Sequence, residues 1–382
     1  MTLTFCTNYV HHHQIPLADE FYNLLGNDYH FVASDPLPEW LQRGGYDSSI
    51  QRSYIVRAYE SDESKRMAMK LIDESDVVIA GAAPMEWFYK RQMGNKLTFQ
   101  FSERILKTRF RRLFFFLGFP LAWKWFIRFR RKNSYMLCAS AYLPSDLKRF
   151  FAFPQKCYKW AYFTKVDYSI DLDRIEEKFK QNGPKHLMWC ARFLDWKHPE
   201  LPVKMAYILK NKGYHFVIDM YGTGEEYENT KKLISKLSLD DCISLKGNLP
   251  NDEILERMRA NEIFLFTSDA NEGWGAVANE AMSNGCVLVG SSKIGSIPYL
   301  VKDKENGCVF KSEDVQSLAD NVQWLFENPQ EMKRLAINGV NTMRHLWSPQ
   351  NAAKSFLVLV DDLINGRQST IKEGPCSVAQ FQ

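Results

Sequence analysis

The 382-residue chain has eight cysteines but no Cys-x-x-Cys pair. It has no internal repeat and no low-complexity stretch. The first absence removes support for a structural zinc site. The others exclude solenoids and disordered arrays. The opening residues, MTLTFCTN, lack a basic region, a long apolar core and a small-residue cleavage site, so no signal peptide is expected. Cys138, Cys190, Cys242, Cys286 and Cys308 lie in or beside apolar runs, as expected for buried free thiols in a reducing, cytoplasmic compartment. Acidic residues are missing from 104–132, which holds ten of the 49 cations. The net charge of +4 therefore leaves −6 for the rest of the chain. One basic block in a mildly acidic protein points to a local partner, not to a chain that coats nucleic acid.

The length favours two domains. In the first part, strand-like runs at 2–7, 29–34, 76–82, 96–101 and 135–140 are spaced irregularly. The helical period of 16–26 opens on Pro16 and stops at Gly26. In the second part, strands at 186–192, 215–222, 242–248, 262–268 and 286–292 alternate with helical stretches at 198–211, 225–238, 251–260, 275–284 and 313–326. Such alternation predicts an α/β fold with parallel sheets. The division expected is 1–165, 166–347, a closing helix over 348–366 that starts on Ser348-Pro349, and a loose tail at 367–382. The polar stretch 164–184 reads as the linker region.

Open α/β sheets bind ligands outside the carboxyl ends of their strands. After strand 262–268 comes EGWGAVANE, residues 272–280. A helix opening near Gly273 or Gly275 would offer free amides to an anion, and the glycines would let a phosphate approach. Glu272 and Glu280 would flank it as hydrogen-bond acceptors for sugar hydroxyls, which suits a nucleotide-sugar. GWGAVA also imitates the nicotinamide-dinucleotide fingerprint, but no acid closes strand 286–292. Arg192 and Lys197 follow strand 186–192 and could reach one diphosphate. Gly222 and Gly224 permit a tight turn beside a ligand.

Taken in order, Arg192 and Lys197, Gly-x-Gly at 222–224, and Glu-x7-Glu at 272–280 resemble the retaining glycosyltransferases of family 4, over roughly 185–310. The resemblance implies the GT-B fold, two facing Rossmann-like domains with parallel sheets and a C-terminal helix crossing back. It implies transfer of a sugar from a nucleotide-sugar, UDP-linked by family weight, to a glycan or lipid-linked glycan in surface polysaccharide synthesis. Arg192 and Lys197 would neutralise the donor diphosphate. Glu280 would hold the ribose and Glu272 the sugar. Amides around Gly273, Trp274 and Gly275 would bind phosphate or sugar, and Lys246-Gly247-Asn248 would lie by the base. Neither cofactor nor metal is implied. His13, after the first strand, is a candidate for contacting donor phosphate or acceptor, and Glu103 for contacting acceptor. Asp171-x-Asp173 imitates a metal motif but reads as a helix cap. A sugar-nucleotide epimerase and a non-catalytic membrane-associated scaffold are the alternatives.

The block 104–132 interleaves cations with Phe, Trp and Leu. Its uncharged centre, Leu113–Trp123, is eleven residues long. A spanning helix needs about 20, so this segment reads as peripheral contact with an anionic membrane surface, on the inner face of the cell membrane. Core packing and stacking on nucleic acid are the weaker readings.

Overall fold

A parallel strand pair cannot close through a hairpin, so each strand must be followed by a crossover, usually a helix. The chain obeys this twice. The computed structural model describes residues 1–39, 49–180 and 183–381. Residues 181–182 of the expected linker and the last residue of the tail lie outside them. Two compact units result, one from Met1–Lys165 with Leu346–Gln382, the other from Val166–His345.

The first unit carries β1 (Leu3–Thr7), β2 (Tyr29–Ala33), β3 (Ile55–Arg57), β4 (Val77–Ala80), β5 (Thr98–Ser102), β6 (Ser134–Cys138) and β7 (Cys157–Lys159). They form a seven-stranded sheet in the order β3-β2-β1-β4-β5-β6-β7. Every ladder in it is parallel. β3 and β7 escape sequence reading because three residues show no period.

Helix Pro349–Ile364 belongs to this unit. Ser348 caps it by accepting from the Asn351 amide, with Pro349 in the first turn, where a missing N–H costs nothing. Phe356 then lies among the rings of Phe21, Phe99 and Trp160, with centroids 5.5, 4.8 and 5.8 Å away. A residue from the far end of the chain thus completes this core.

The tail is not loose. Cys376, Ser377 and Ala379 are buried, and their backbone exchanges three hydrogen bonds with Cys157 and Lys159 on β7. Buried Asp362 ties the tail's start, accepting from the Thr370 amide and hydroxyl at 2.8 Å and from Arg367 at 3.0 Å. Polar composition suggested disorder, but the edge of β7 supplies partners that composition cannot reveal. Deleting residues 367–382 is expected to cost about 2–4 kcal/mol, from those bonds and the lost burial. Urea or thermal denaturation measures it.

The second unit carries β8 (Lys185–Cys190), β9 (Phe216–Tyr221), β10 (Ile243–Gly247), β11 (Ile263–Phe266), β12 (Val287–Ser291) and β13 (Cys308–Phe310). Their order is β10-β9-β8-β11-β12-β13, all parallel. β11 and β12 are buried along their whole length, which explains their unbroken apolar sequence. Part of the expected linker is structural. Helix Leu172–Lys178 sends Ile175 into this core, joined there by Phe179. Asp171 caps that helix by accepting from the Asp173 amide, so the Asp-x-Asp pair is a cap.

Candidate active site

The order of the second sheet reverses direction between β8 and β11. Helices after these two strands leave toward opposite faces, and a crevice opens at their carboxyl ends. The loop after β8 carries Arg192 and Lys197, and the loop after β11 carries Glu272.

The structure joins these loops tightly. Lys197 Nζ forms an ion pair with Glu272 Oε2, and Ser268 Oγ donates to the same carboxylate oxygen at 3.0 Å. Both charged side chains are nearly buried, 13% and 11% exposed. The Lys197 ammonium also lies 4.2 Å from the centre of the Trp196 ring. Behind the pair, Trp189 Nε1 donates to Thr267 Oγ1 at 2.8 Å, and Thr267 Oγ1 donates to the Lys197 carbonyl at 2.7 Å. The Asp269 amide donates to the Trp196 carbonyl at 3.0 Å. Each of the two charges therefore sits on backbone fixed by the other's loop.

Arg192 differs. It is exposed and has no side-chain hydrogen bond or ion pair among the described residues. One strand end thus offers one engaged cation and one uncommitted cation.

The turn 272–280 also corrects an expectation. The helix opens at Val277, not near Gly273 or Gly275, and runs only to Ser283. Glu280 therefore lies in its first turn, largely buried. No backbone carbonyl among the described residues accepts from the Gly273 or Gly275 amides. The Trp274 side chain packs inside the unit. It is fully buried, and its Nε1 donates to Asn279 Oδ1 at 2.9 Å. Gly275, at φ +82°, is obligatory because a Cβ there would lie 2.2 Å from the Phe266 ring. Burial pushes the Cys190 thiol up to about 12, with the Glu280 carboxylate adding and the Lys197 cation opposing. Cys190 thus feels both charges, which brings Glu280 and Lys197 to the same end of β8.

Gly222 and Gly224 form the close turn expected of them, and it packs on the chain itself. A Cβ on Gly222 would lie 1.9 Å from the Ala191 carbonyl oxygen, and one on Gly224 would lie 2.4 Å from that of Phe193. The close neighbour is the chain's own loop after β8, held by the Phe193 amide on the Thr223 carbonyl at 2.9 Å. The glycines therefore shape the backbone that carries Arg192. Asn248 Nδ2 reaches Thr223 Oγ1 in the same turn at 3.1 Å. Gly247, at the end of β10, accepts from the Gly222 amide. Lys246 is half exposed and pairs with Asp219 at 3.2 Å. His13 lies in the first unit, between β1 and helix Ile15–Leu25, with its ring 4.0 Å from that of His12. Glu103, also in the first unit, pairs with Lys107 at 2.7 Å.

His198 and Asp269 gave no sequence signal. His198 takes a left-handed backbone, φ +51°. Its Nδ1 is 3.2 Å from Glu200 and its Nε2 is 3.8 Å from Asp269. Burial disfavours the charged ring, but the Asp269 and Glu200 carboxylates outweigh it and lift the imidazole to about 10. His198, Asp269 and Glu313 bring ligand-type atoms within 4.8 Å of one another. As a cation, the imidazole is attracted to both the Glu200 and the Asp269 carboxylates.

The raised value fixes the sign of a pH effect. His198 stabilises the fold fully below the ordinary imidazole value of 6.5, and its contribution fades as pH rises toward about 10. His198→Gln should therefore lower the melting temperature most near pH 6 and least near pH 10, in paired thermal melts.

Comparison with known proteins bears on the fold and on the stretch that carries these residues. Residues 172–342 match the model of the family described as glycosyl transferases group 1. The chain is 30% identical over 141 residues to the amylovoran biosynthesis glycosyltransferase AmsK of Erwinia amylovora, covering 36% of this chain and 34% of that protein. It is 28% identical over 136 residues to an MMP α-(1→4)-mannosyltransferase of Mycolicibacterium hassiacum, covering 35% and 33%. The matches span about a third of the length of these curated relatives. Among solved structures, Alr3699/HepE of Anabaena in complex with UDP and glucose superposes with a TM-score of 0.66 at 13% identity, over 94% of this chain and 99% of that one. A glycosyltransferase of Rickettsia africae gives 0.64 at 12% identity, over 95% and 98%. At such identity the likeness concerns the fold, which is GT-B, with two Rossmann-like parallel sheets.

Proposed function

We propose that the chain is a retaining glycosyltransferase of family 4 that moves a sugar from a nucleotide-sugar, a UDP-sugar, to a glycan or lipid-linked glycan in surface polysaccharide synthesis. The observation that carries this reading is the nearly buried Lys197–Glu272 pair at the switch point of the second sheet. It lies within the stretch that matches group 1 glycosyl transferases. The UDP bound in the Anabaena structure supports the choice of donor.

In this reading Arg192 meets the diphosphate first and Lys197 turns from Glu272 to join it. Two cations then offset the charge that builds on the leaving nucleoside diphosphate. Glu272, released from Lys197, becomes an acceptor for a sugar hydroxyl. Glu280 accepts from the ribose, the Gly273 and Gly275 amides face the phosphate or sugar, and Lys246-Gly247-Asn248 border the base. His13 is taken as a contact for donor phosphate or acceptor. The reaction proceeds without a metal ion because protein cations supply that charge. The enzyme works in the cytoplasm, peripherally on the inner face of the cell membrane, where a lipid-linked acceptor is presented.

A thermal-shift series of nucleoside diphosphates and their sugars tests the donor, since a ligand that binds only the folded state raises the melting temperature. UDP and one UDP-sugar are expected to shift it. Glu280→Ala should weaken donor binding about 10- to 100-fold, the ~1.5–3 kcal/mol of a hydrogen bond to a charged group. Glu272→Ala should lower kcat more than it raises KM. Activity should survive a chelator. Full turnover in both variants would remove the site assignment, and isomerisation of the donor without acceptor would make the enzyme an epimerase.

A further inference from the structure

Residues 104–132 can be judged within the first unit alone. The segment folds as short turns, with helices Arg109–Leu113 and Phe119–Trp125 linked by Phe115–Gly118 and followed by Ile127–Phe129. Its apolar side chains divide between two faces. Leu106, Ala122 and Ile127 are buried with Met136, Leu143 and Phe150, and Phe115, Phe119 and Phe126 pack on the same cluster. Core packing is therefore part of the answer. It is not all of it. Phe110, Leu113, Phe116, Leu117, Leu121 and Trp123 point outward, each between 53% and 65% exposed.

A surface helix ordinarily turns a polar face to water, and a helix apolar all round is covered. Exposed large apolar side chains concentrated in one segment in this way mark an interaction site. Another element carries a further exposed ring. Phe151 follows helix Leu143–Arg149, is 67% exposed and holds φ +53°, an uncommon backbone for a bulky residue. Arg149 connects the two, donating to the Arg112 carbonyl at 3.1 Å.

We infer that this ridge inserts into the headgroup boundary of an anionic lipid bilayer. Charge complementarity selects the occupant. Arg111 and Arg112 stand before the uncharged run, Lys124, Arg128, Arg130 and Arg131 after it, and no acid occurs between 104 and 132. Aromatic and leucine side chains enter the boundary while flanking cations meet lipid phosphates. The inference rests on the peripheral placement in the proposed function and names the surface that inserts; it needs no donor, so it and the sugar-transfer reading can fail separately.

Vesicle co-sedimentation tests it, with equimolar phosphatidylglycerol and phosphatidylcholine against phosphatidylcholine alone. The full chain should pellet with the anionic vesicles at about 0.1 M salt, and part of it should stay bound at about 0.5 M, where charge attraction alone is screened. Leu117→Asp with Leu121→Asp should reduce the bound fraction about tenfold with an unchanged melting temperature, because both side chains are exposed. Phe151→Gly guards against loss of fold. Glycine suits the left-handed backbone, so weaker binding at an equal or higher melting temperature isolates the lost ring. Wild-type protein left in the supernatant, complete release at high salt, or variants that pellet like wild type would overturn the inference. So would a lipid-free dimer in sedimentation velocity that the double Asp variant dissociates, since the ridge would then bind a second copy.

Discussion

The ion pair between Lys197 and Glu272 is the constraint on which the second unit's site depends. A lone charge at that depth would cost several kcal/mol, and the opposite charge compensates it only in good geometry. Good geometry requires two loops from strands far apart in sequence to arrive together. The parallel pairing of β8 with β11 provides this, and the Trp189–Thr267–Lys197 chain of hydrogen bonds locks it. His198 adds a second cation on the same ground, between Glu200 and Asp269. The result is a site in which Lys197 and Glu272 already compensate each other, with Arg192 uncommitted among the described residues.

That balance suits the proposed chemistry. An anionic donor entering such a site exchanges one set of charge contacts for another, without burying a bare charge. A carboxylate held by a lysine is also kept from binding elsewhere until the lysine is engaged. The glycines after β9 serve this arrangement indirectly. By admitting the backbone of Ala191 and Phe193 they set the path of the loop that presents Arg192 and Lys197.

Much of this was legible from the chain. Helices at 251–260 and 349–364 announce themselves by period, by Ser348 and by the prolines. The motif residues Arg192, Lys197, Glu272 and Glu280 stand at strand ends or first turns because polar residues directly after apolar runs have few other places to go. Three-residue strands such as β3, β7 and β13 were not legible, since so few residues carry no pattern. The tail's pairing with β7 was hidden for the same reason. The start of the 277–283 helix was misjudged because the glycines at 273 and 275 suit a loop as well as a helix entrance.

The sequence by itself determined the alternation of strands and helices, the place of the charged motif residues after particular strands, and the concentration of positive charge at 104–132. These are local properties, written in period, spacing and composition. Only the tertiary structure decided which charges meet. It paired Lys197 with Glu272, left Arg192 unpaired among the described residues, buried the indole of Trp274, and divided the aromatic segment into a packed face and an exposed one. It also returned Phe356 to a core whose other rings come from the first 160 residues. Such outcomes depend on strand order and on contacts across long stretches of chain, where the free energy of a side chain is set by its neighbours in space.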